Sequence, residues 1–120
     1  MRDHTRLRAF KEADSLVRRI YKATAYFPKG EQFGLTLQLR RAAVSVATNI
    51  VEGCARPSET EYLRFLDMAY ASARELEYQV GLSEDLGFLE GATAREIRNA
   101  CSVTAKLLCR LIIALRTPAP

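Results

Sequence analysis

The stretch from Phe33 to Gly53, FGLTLQLRRAAVSVATNIVEG, limits the possible folds of this chain more than any other segment. On a helix of about 100° per residue it carries two apolar stripes, whereas a surface helix of a globular protein carries one. The first stripe consists of Leu35, Leu39, Ala42, Ala43, Val46 and Ile50, and the second of Phe33, Leu37, Val44, Ala47 and Val51, with Arg40 interrupting it. Two apolar stripes require two partners, so we expect this helix to be covered on two sides.

The remaining sequence also has helical periodicity, and its 120 residues are enough for one domain, residues 1–120. We predict helices over about residues 5–26, 31–53, 58–86 and 93–116. The connections between them are short, which favours antiparallel neighbours. The sequence therefore predicts an all-α fold, an elongated antiparallel four-helix bundle with up-down-up-down topology.

Proline, glycine and capping residues mark the predicted helix ends. The Phe27-Pro28 pair stops the first helix, because the residue before a proline avoids the α region. Gly53 suits the left-handed position that closes a helix. Residues 58–61 (SETE) and 93–96 (TARE) have the spacing of capping boxes and predict the starts of the third and fourth helices.

Charge is unevenly distributed along the chain, whose net charge is +4. Residues 58–86 contain seven acidic and two basic residues, so the excess positive charge lies elsewhere. Basic residues recur at helical spacing opposite the apolar seams of the first and fourth helices. The candidate nucleic-acid-binding residues are Arg8, Lys11, Arg18 and Lys22 on the first helix and Arg95, Lys106 and Arg110 on the fourth. Such rows are either solvated faces or surfaces that bind phosphate groups.

The sequence lacks the residues that common catalytic and metal sites need. One histidine, His4, cannot supply the ligands of a di-metal bundle or the base of a catalytic triad. No phosphate-binding glycine loop is present, and Cys54, Cys101 and Cys109 have no C-x-x-C spacing. We therefore expect a protein that is not an enzyme and uses no metal, cofactor or small-molecule substrate. Without a signal segment or membrane-spanning run, we also expect it to be cytoplasmic and to make no membrane contact.

The segment from Arg40 to Gly53, RRAAVSVATNIVEG, resembles the signature of the 23S rRNA intervening-sequence proteins, R-R-A-x-x-S-I-x-x-N-I-A-E-G. Residues 27–29 (FPK), 33–35 (FGL), 62–66 (YLRFL) and 71–77 (ASARELE) also match that family in order and spacing. The departures include Val51 in place of alanine and Ala47-Thr48 in place of Pro-Ser. The resemblance implies a homopentamer of four-helix bundles and supplies no catalytic residue. It also implies similarity to the accessory variability determinant proteins of diversity-generating retroelements, basic pentamers that bind nucleic acid and a reverse transcriptase.

We assign a structural role to five residues, which we call the polar signature residues: Arg41, Ser45, Asn49, Glu52 and Glu75. A buried asparagine needs hydrogen-bond partners, and a carboxylate in the last turn of a helix needs a cation because the helix dipole disfavours it. We therefore expect Asn49 and Glu52 to be buried and to bond across helices, Glu52 to an arginine. The alternative is that they contact a ligand or nucleic acid.

The second apolar stripe predicts a homo-oligomer, because a soluble monomer seldom exposes such a row. The candidate interface residues are Phe33, Leu37, Val44 and Val51 on the second helix and Leu63 and Tyr70 on the third. A head-to-tail contact between different surfaces closes into a ring. The number five comes from the family resemblance alone.

Two functions fit these features. The leading one is a non-enzymatic oligomer that binds nucleic acid, with its basic rows on the RNA backbone and without reading sequence. The alternative is a protein-interaction scaffold or accessory subunit that makes no nucleic-acid contact, in which the acidic third helix or the assembled ring docks a protein. Affinity that falls steeply with salt distinguishes phosphate binding from this alternative.

Overall fold

Four helices form the bulk of the computed structural model, which describes residues 2–118. Helix α1 spans Arg8–Thr24, α2 Leu35–Cys54, α3 Glu59–Asp85 and α4 Gly91–Arg116, with short 3₁₀ turns at His4–Arg6 and Lys29–Glu31. Within this range there is no strand, and the molecule measures 51 × 23 × 19 Å. The predicted all-α, elongated four-helix bundle is confirmed. No helix among the described residues is both long enough and apolar enough to cross a membrane.

The helices are antiparallel and pack in a ring, each against its neighbours in sequence, with α4 closing onto α1. The Ser45 and Ser72 hydroxyls hydrogen-bond at 2.8 Å midway along α2 and α3. At the end of α3, Glu84 pairs with Arg98 near the start of α4 at 3.1 Å. Helices α1 and α3 therefore lie diagonally across the bundle, as do α2 and α4.

The core runs the length of the bundle in two clusters and contains the first apolar stripe of α2. Leu39, Ala43, Val46 and Ile50 are fully buried. One cluster surrounds Ala69 and Ala73 of α3, whose small side chains let the neighbouring helices approach closely. The other contains Leu16, Ile20, Leu76, Val80, Ile97 and Cys101. The second stripe of α2 does not contribute to either cluster except at Ala47.

One of the two predicted capping boxes is present. The Glu61 N–H donates to the Ser58 hydroxyl at 3.1 Å, and α3 begins directly afterwards. The prediction at Thr93 is wrong, because α4 begins at Gly91 and Thr93 is already helical. The turn between α3 and α4 begins directly at the end of α3. Gly87 there has a φ of 82°, and the Phe88 N–H donates to the Ser83 carbonyl at 2.9 Å. The chain is thereby turned back and the fourth helix starts two residues sooner than its sequence suggests.

The predicted left-handed role of Gly53 is also wrong. Helix α2 continues through Gly53 to Cys54, and Gly87 is the glycine with positive φ in the described range. A Cβ atom on Gly53 would lie 2.9 Å from the Cβ of Phe65 on α3. Glycine is therefore needed at this position because the two helices approach each other too closely for a side chain.

Candidate nucleic-acid interface

The basic row of α1 lies on the surface, as its spacing predicts. Its residues Arg8, Lys11, Arg18 and Lys22 are all exposed. Buried residues of the same helix, Ala9, Ala13, Leu16, Ile20 and Thr24, point to the opposite side. Arg18 donates two hydrogen bonds to the Asp14 carboxylate, each at 3.2 Å, so part of its charge is neutralised within the helix. The other three have no ion-pair partner among residues 2–118.

The basic row of α4 is exposed in the same way. Arg95, Lys106 and Arg110 all face solvent, and none of them joins an ion pair in the described part of the chain. Arg98 of the same helix lies outside the row and pairs with Glu84 at 3.1 Å. The helix therefore uses Arg98 and, at its end, Arg116 to hold α3, and leaves its outward-facing basic residues free.

The structure does not bring the two basic rows into one groove. Lys22 of α1 lines a cleft between α1 and the start of α4. Lys106 of α4 lines a different groove, between α3 and α4, together with Tyr70 and Cys109. A single extended strand would have to cross α4 to contact both rows.

The acidic residues of α3 are engaged more often than the basic rows. Asp67 accepts from Arg116, Glu77 pairs with Arg74 at 3.3 Å, and Glu84 pairs with Arg98 at 3.1 Å. These contacts use up negative charge inside the chain. The surface charge that remains without a partner is therefore predominantly positive on α1 and α4.

The polar signature residues are less buried than the sequence predicts. Glu52 is exposed and has no ion-pair partner among residues 2–118, so the predicted buried pair with an arginine is wrong for the single chain. Asn49 is half-buried and donates to the carbonyl and hydroxyl of Ser45 in its own helix, at 2.9 and 3.0 Å. The contact across helices is made instead by Ser45 with Ser72.

The remaining signature residues line a polar groove between α2 and α3. Arg41 and Glu75 are both exposed and border this groove with Ser45. Glu75 accepts a hydrogen bond from the Gln79 amide at 3.0 Å. The other amide atom of Gln79, its Oε1, is buried and has no partner within the described residues. The signature residues thus form a surface strip of the chain instead of an internal polar network.

The candidate interface residues separate into two places. Phe33 is 82% exposed, Leu37 37% and Val44 39%, while Val51 is half-buried. Leu63 and Tyr70 are half-buried and pack against the core from α3. The exposed row on α2 and the pair on α3 are therefore distinct surfaces of one chain.

Arg40 interrupts the exposed row for a reason visible in the structure. Its Nε donates to the Thr24 hydroxyl at 2.9 Å, and its guanidinium lies 4.5 Å from the centre of the Tyr21 ring. Both contacts join α2 to α1. Arg40 therefore fastens these helices while its neighbours in the row remain uncovered.

Two buried groups have strongly raised pKa values. Burial raises the pKa of the Cys101 thiol to about 12. Burial, reinforced by the neighbouring Cys54, raises the pKa of the Tyr62 hydroxyl to about 12. A protonated thiol is a poor nucleophile, so Cys101 acts as a small apolar core residue at neutral pH.

Comparison with protein-family models gives a match to the 23S rRNA-intervening sequence protein over residues 5–110. The chain belongs to this family. A crystal structure of a protein with unknown function from the S23 ribosomal protein family of Bacteroides thetaiotaomicron is similar in fold. It has a TM-score of 0.81 and 22% identity, and the match covers 88% of this chain and 95% of that chain. Comparison with the curated proteins gives no match.

The sequence patterns did not identify two surface residues of this chain, Arg19 and Tyr26. Arg19 and Tyr26 line the same cleft as Lys22, between α1 and α4. Tyr26 is 91% exposed, the highest exposure among the large hydrophobic residues described. Their spacing could have identified them, since Arg19, Lys22 and Tyr26 are three and four residues apart. That spacing places them on one side of the helix predicted over residues 5–26.

Proposed function

We propose that this chain is a non-enzymatic, cytoplasmic homo-oligomer that binds nucleic acid, with RNA phosphates on its basic rows. The observation that carries the proposal is that six exposed basic residues have no ion-pair partner among residues 2–118: Arg8, Lys11, Lys22, Arg95, Lys106 and Arg110. Three carboxylates of α3, those of Asp67, Glu77 and Glu84, are by contrast already paired with arginines. Free cations in a row match the repeating charge of a nucleic-acid backbone and do not distinguish one base from another.

The proposal includes assembly of several copies. The exposed row of Phe33, just before α2, and of Leu37 and Val44 on α2 is covered most simply by another copy of the chain. The two basic rows lie apart on one chain. In a ring they recur with every copy, and together they give a multivalent basic surface. A pentamer is the form that the family resemblance implies.

A protein-interaction scaffold is the second candidate. The same exposed row supports it, because an apolar surface also fits a protein partner of a different kind. In that case the basic rows are solvated and carry no nucleic acid. The two candidates differ in one measurable property, the dependence of nucleic-acid affinity on salt.

The test is a titration of a fluorescently labelled single-stranded RNA at salt concentrations from about 50 to 200 mM, followed by anisotropy. We expect the affinity to fall steeply, because each phosphate contact to single-stranded nucleic acid contributes about 0.7 to the slope of log K against log salt. Charge reversal of Arg95, Lys106 and Arg110 to Glu should weaken binding and flatten that slope. Reversal of Arg8, Lys11 and Lys22 should do the same.

The matched control is Arg64→Glu, which reverses an exposed arginine of α3 that belongs to neither row. It should leave the salt slope unchanged. If the wild-type protein binds neither RNA nor DNA at the lowest salt concentration, the proposal fails and the scaffold is preferred. A slope that responds equally to Arg64→Glu would show that net charge alone, and not the rows, is responsible.

A further inference from the structure

A cleft of about 750 Å³ lies between the end of α1 and the start of α4. Arg19, Lys22 and Tyr26 form one wall, and Glu90, Thr93 and Glu96 form the other. The two walls therefore carry opposite charge. None of these four charged side chains joins an ion pair within residues 2–118, so both walls present free charge to solvent.

Tyr26 is held at the edge of this cleft by its neighbours. Phe27, the next residue, is only 8% exposed, and its ring packs 5.7 Å from the ring of Phe88. The Phe27 N–H also donates to the Thr24 carbonyl at 3.1 Å. The backbone on both sides of Tyr26 is thus anchored, while the Tyr26 ring itself is 91% exposed.

The Tyr26 ring has no stacking partner in the described part of the chain. The aromatic pairs there join His4 with Phe10 and Phe27 with Phe88, and none of the cation–π contacts includes Tyr26. Burial of an aromatic ring is among the larger sources of binding energy. A ring whose backbone is anchored and whose faces are uncovered is therefore suited to receive the flat face of a ligand.

The charges on the two walls determine how a nucleotide would lie. Arg19 and Lys22, about two turns and one turn before Tyr26, attract a phosphate to the α1 wall. Glu90 and Glu96 repel a phosphate from the α4 wall but not an uncharged base. A strand that follows α1 would thus keep its phosphates on the basic wall and turn a base into the cleft.

We propose that this cleft binds single-stranded nucleic acid, with one base stacked on Tyr26 and the adjoining phosphates on Arg19 and Lys22. The inference rests on the proposed nucleic-acid binding and makes it more specific. Stacking requires a base whose face is free, which a single strand offers along its length and a duplex offers only at its ends. The α1 end of the bundle therefore prefers single strands, whereas the basic rows alone bind either form.

The chain contains no tryptophan, so Tyr26→Trp introduces a single fluorescent reporter in the cleft. We expect a single-stranded oligoribonucleotide to quench this fluorescence. An abasic oligomer of equal length, with the same phosphates and no bases, should bind without quenching. The matched control is Tyr78→Trp, because Tyr78 is also exposed, at 69%, but lies on α3 in a groove whose arginines, Arg74 and Arg98, are already paired with Glu77 and Glu84. Its fluorescence should not change.

Affinity gives the second readout. Tyr26→Ala should lower the affinity for the single strand about tenfold, the order expected for one stacked base, and leave the affinity for a duplex unchanged. Tyr26→Phe should retain the wild-type affinity, and Tyr78→Ala should have no effect. Circular dichroism of each variant establishes that the helices are intact.

The outcomes separate this inference from the proposed function. If the wild-type protein binds single-stranded RNA but Tyr26→Ala binds it equally well and Tyr26→Trp is not quenched, the stacking site is refuted and backbone binding stands. Equal quenching by the abasic oligomer would refute stacking as well. If the wild-type protein binds no nucleic acid at low salt, both proposals fail.

Discussion

Gly53 sets the distance between two helices through the side chain that it lacks. A methyl group there would lie 2.9 Å from the Cβ of Phe65, an atom that cannot move without its helix. Overpacking of this kind costs about 1–3 kcal/mol, more than the roughly 1 kcal/mol that alanine gains over glycine within a helix. The difference is a net loss, and we therefore expect Gly53→Ala to lower the free energy of unfolding by about 1 kcal/mol, measured by urea denaturation.

Gly30 provides the control for this substitution. A Cβ atom there would have no neighbour within 4 Å, and its φ is not positive. Gly30→Ala should change the free energy of unfolding by less than about 0.5 kcal/mol. Equal stability of Gly53→Ala and the wild-type protein would contradict the close approach of α2 and α3.

The polar signature residues show why some side chains were predicted less well than the core. The buried stripe of α2 follows from periodicity, because apolar residues at helical spacing need to be covered regardless of the partner. The environment of Glu52 depends on which groups lie beside it, and in the single chain its side chain is exposed. Local chemistry indicated that Glu52 needs a cation but did not show whether that cation belongs to the same chain.

The helices themselves were predicted closely, and their starts test the physics of capping. Ser58 precedes α3 and accepts from the Glu61 N–H at 3.1 Å, whereas Thr93 lies inside α4 and caps nothing. Loss of an N-cap side chain costs about 1 kcal/mol. We expect Ser58→Ala to destabilise the protein by about this amount and Thr93→Ala to have little effect, with thermal unfolding as the measurement.

A larger loss of stability for Thr93→Ala than for Ser58→Ala would place the start of α4 at Thr93, where its sequence suggests. The observed start depends on the turn at Gly87 and on the Phe88 N–H that donates to Ser83. These contacts join residues on both sides of the connection. They are absent from the local capping pattern, so the sequence of residues 93–96 alone could not exclude the later start.

At the level of whole helices, one property of the basic rows was predicted and another was not. Each row was predicted correctly as an exposed face, because the opposite face of its helix carries the apolar seam. Their separation was not predicted, since it depends on how α1 and α4 are rotated within the bundle. Lys22 and Lys106 consequently line different grooves. The cleft at Tyr26 was missed for this reason, because half of it comes from α4.

At the scale of the whole molecule, one chain satisfies every apolar seam except the second stripe of α2. Phe33 is 82% exposed and Val44 39% exposed in an otherwise well-packed bundle. The predicted partner surface, at Leu63 and Tyr70, lies on α3 and is half-buried. Two different surfaces fit a head-to-tail contact, which repeats until a ring closes.

We therefore expect the purified protein to be a homo-oligomer at micromolar concentration, with a mass near five chains by multi-angle light scattering. Val44→Glu should dissociate it, because a carboxylate inside an apolar contact loses its hydration without gaining a partner. Val103→Glu is the matched control, since Val103 is 40% exposed but lies on α4, which carries none of the candidate interface residues. It should leave the mass unchanged. A wild-type mass of one chain would refute assembly, whereas an oligomer that survives Val44→Glu would place the interface elsewhere.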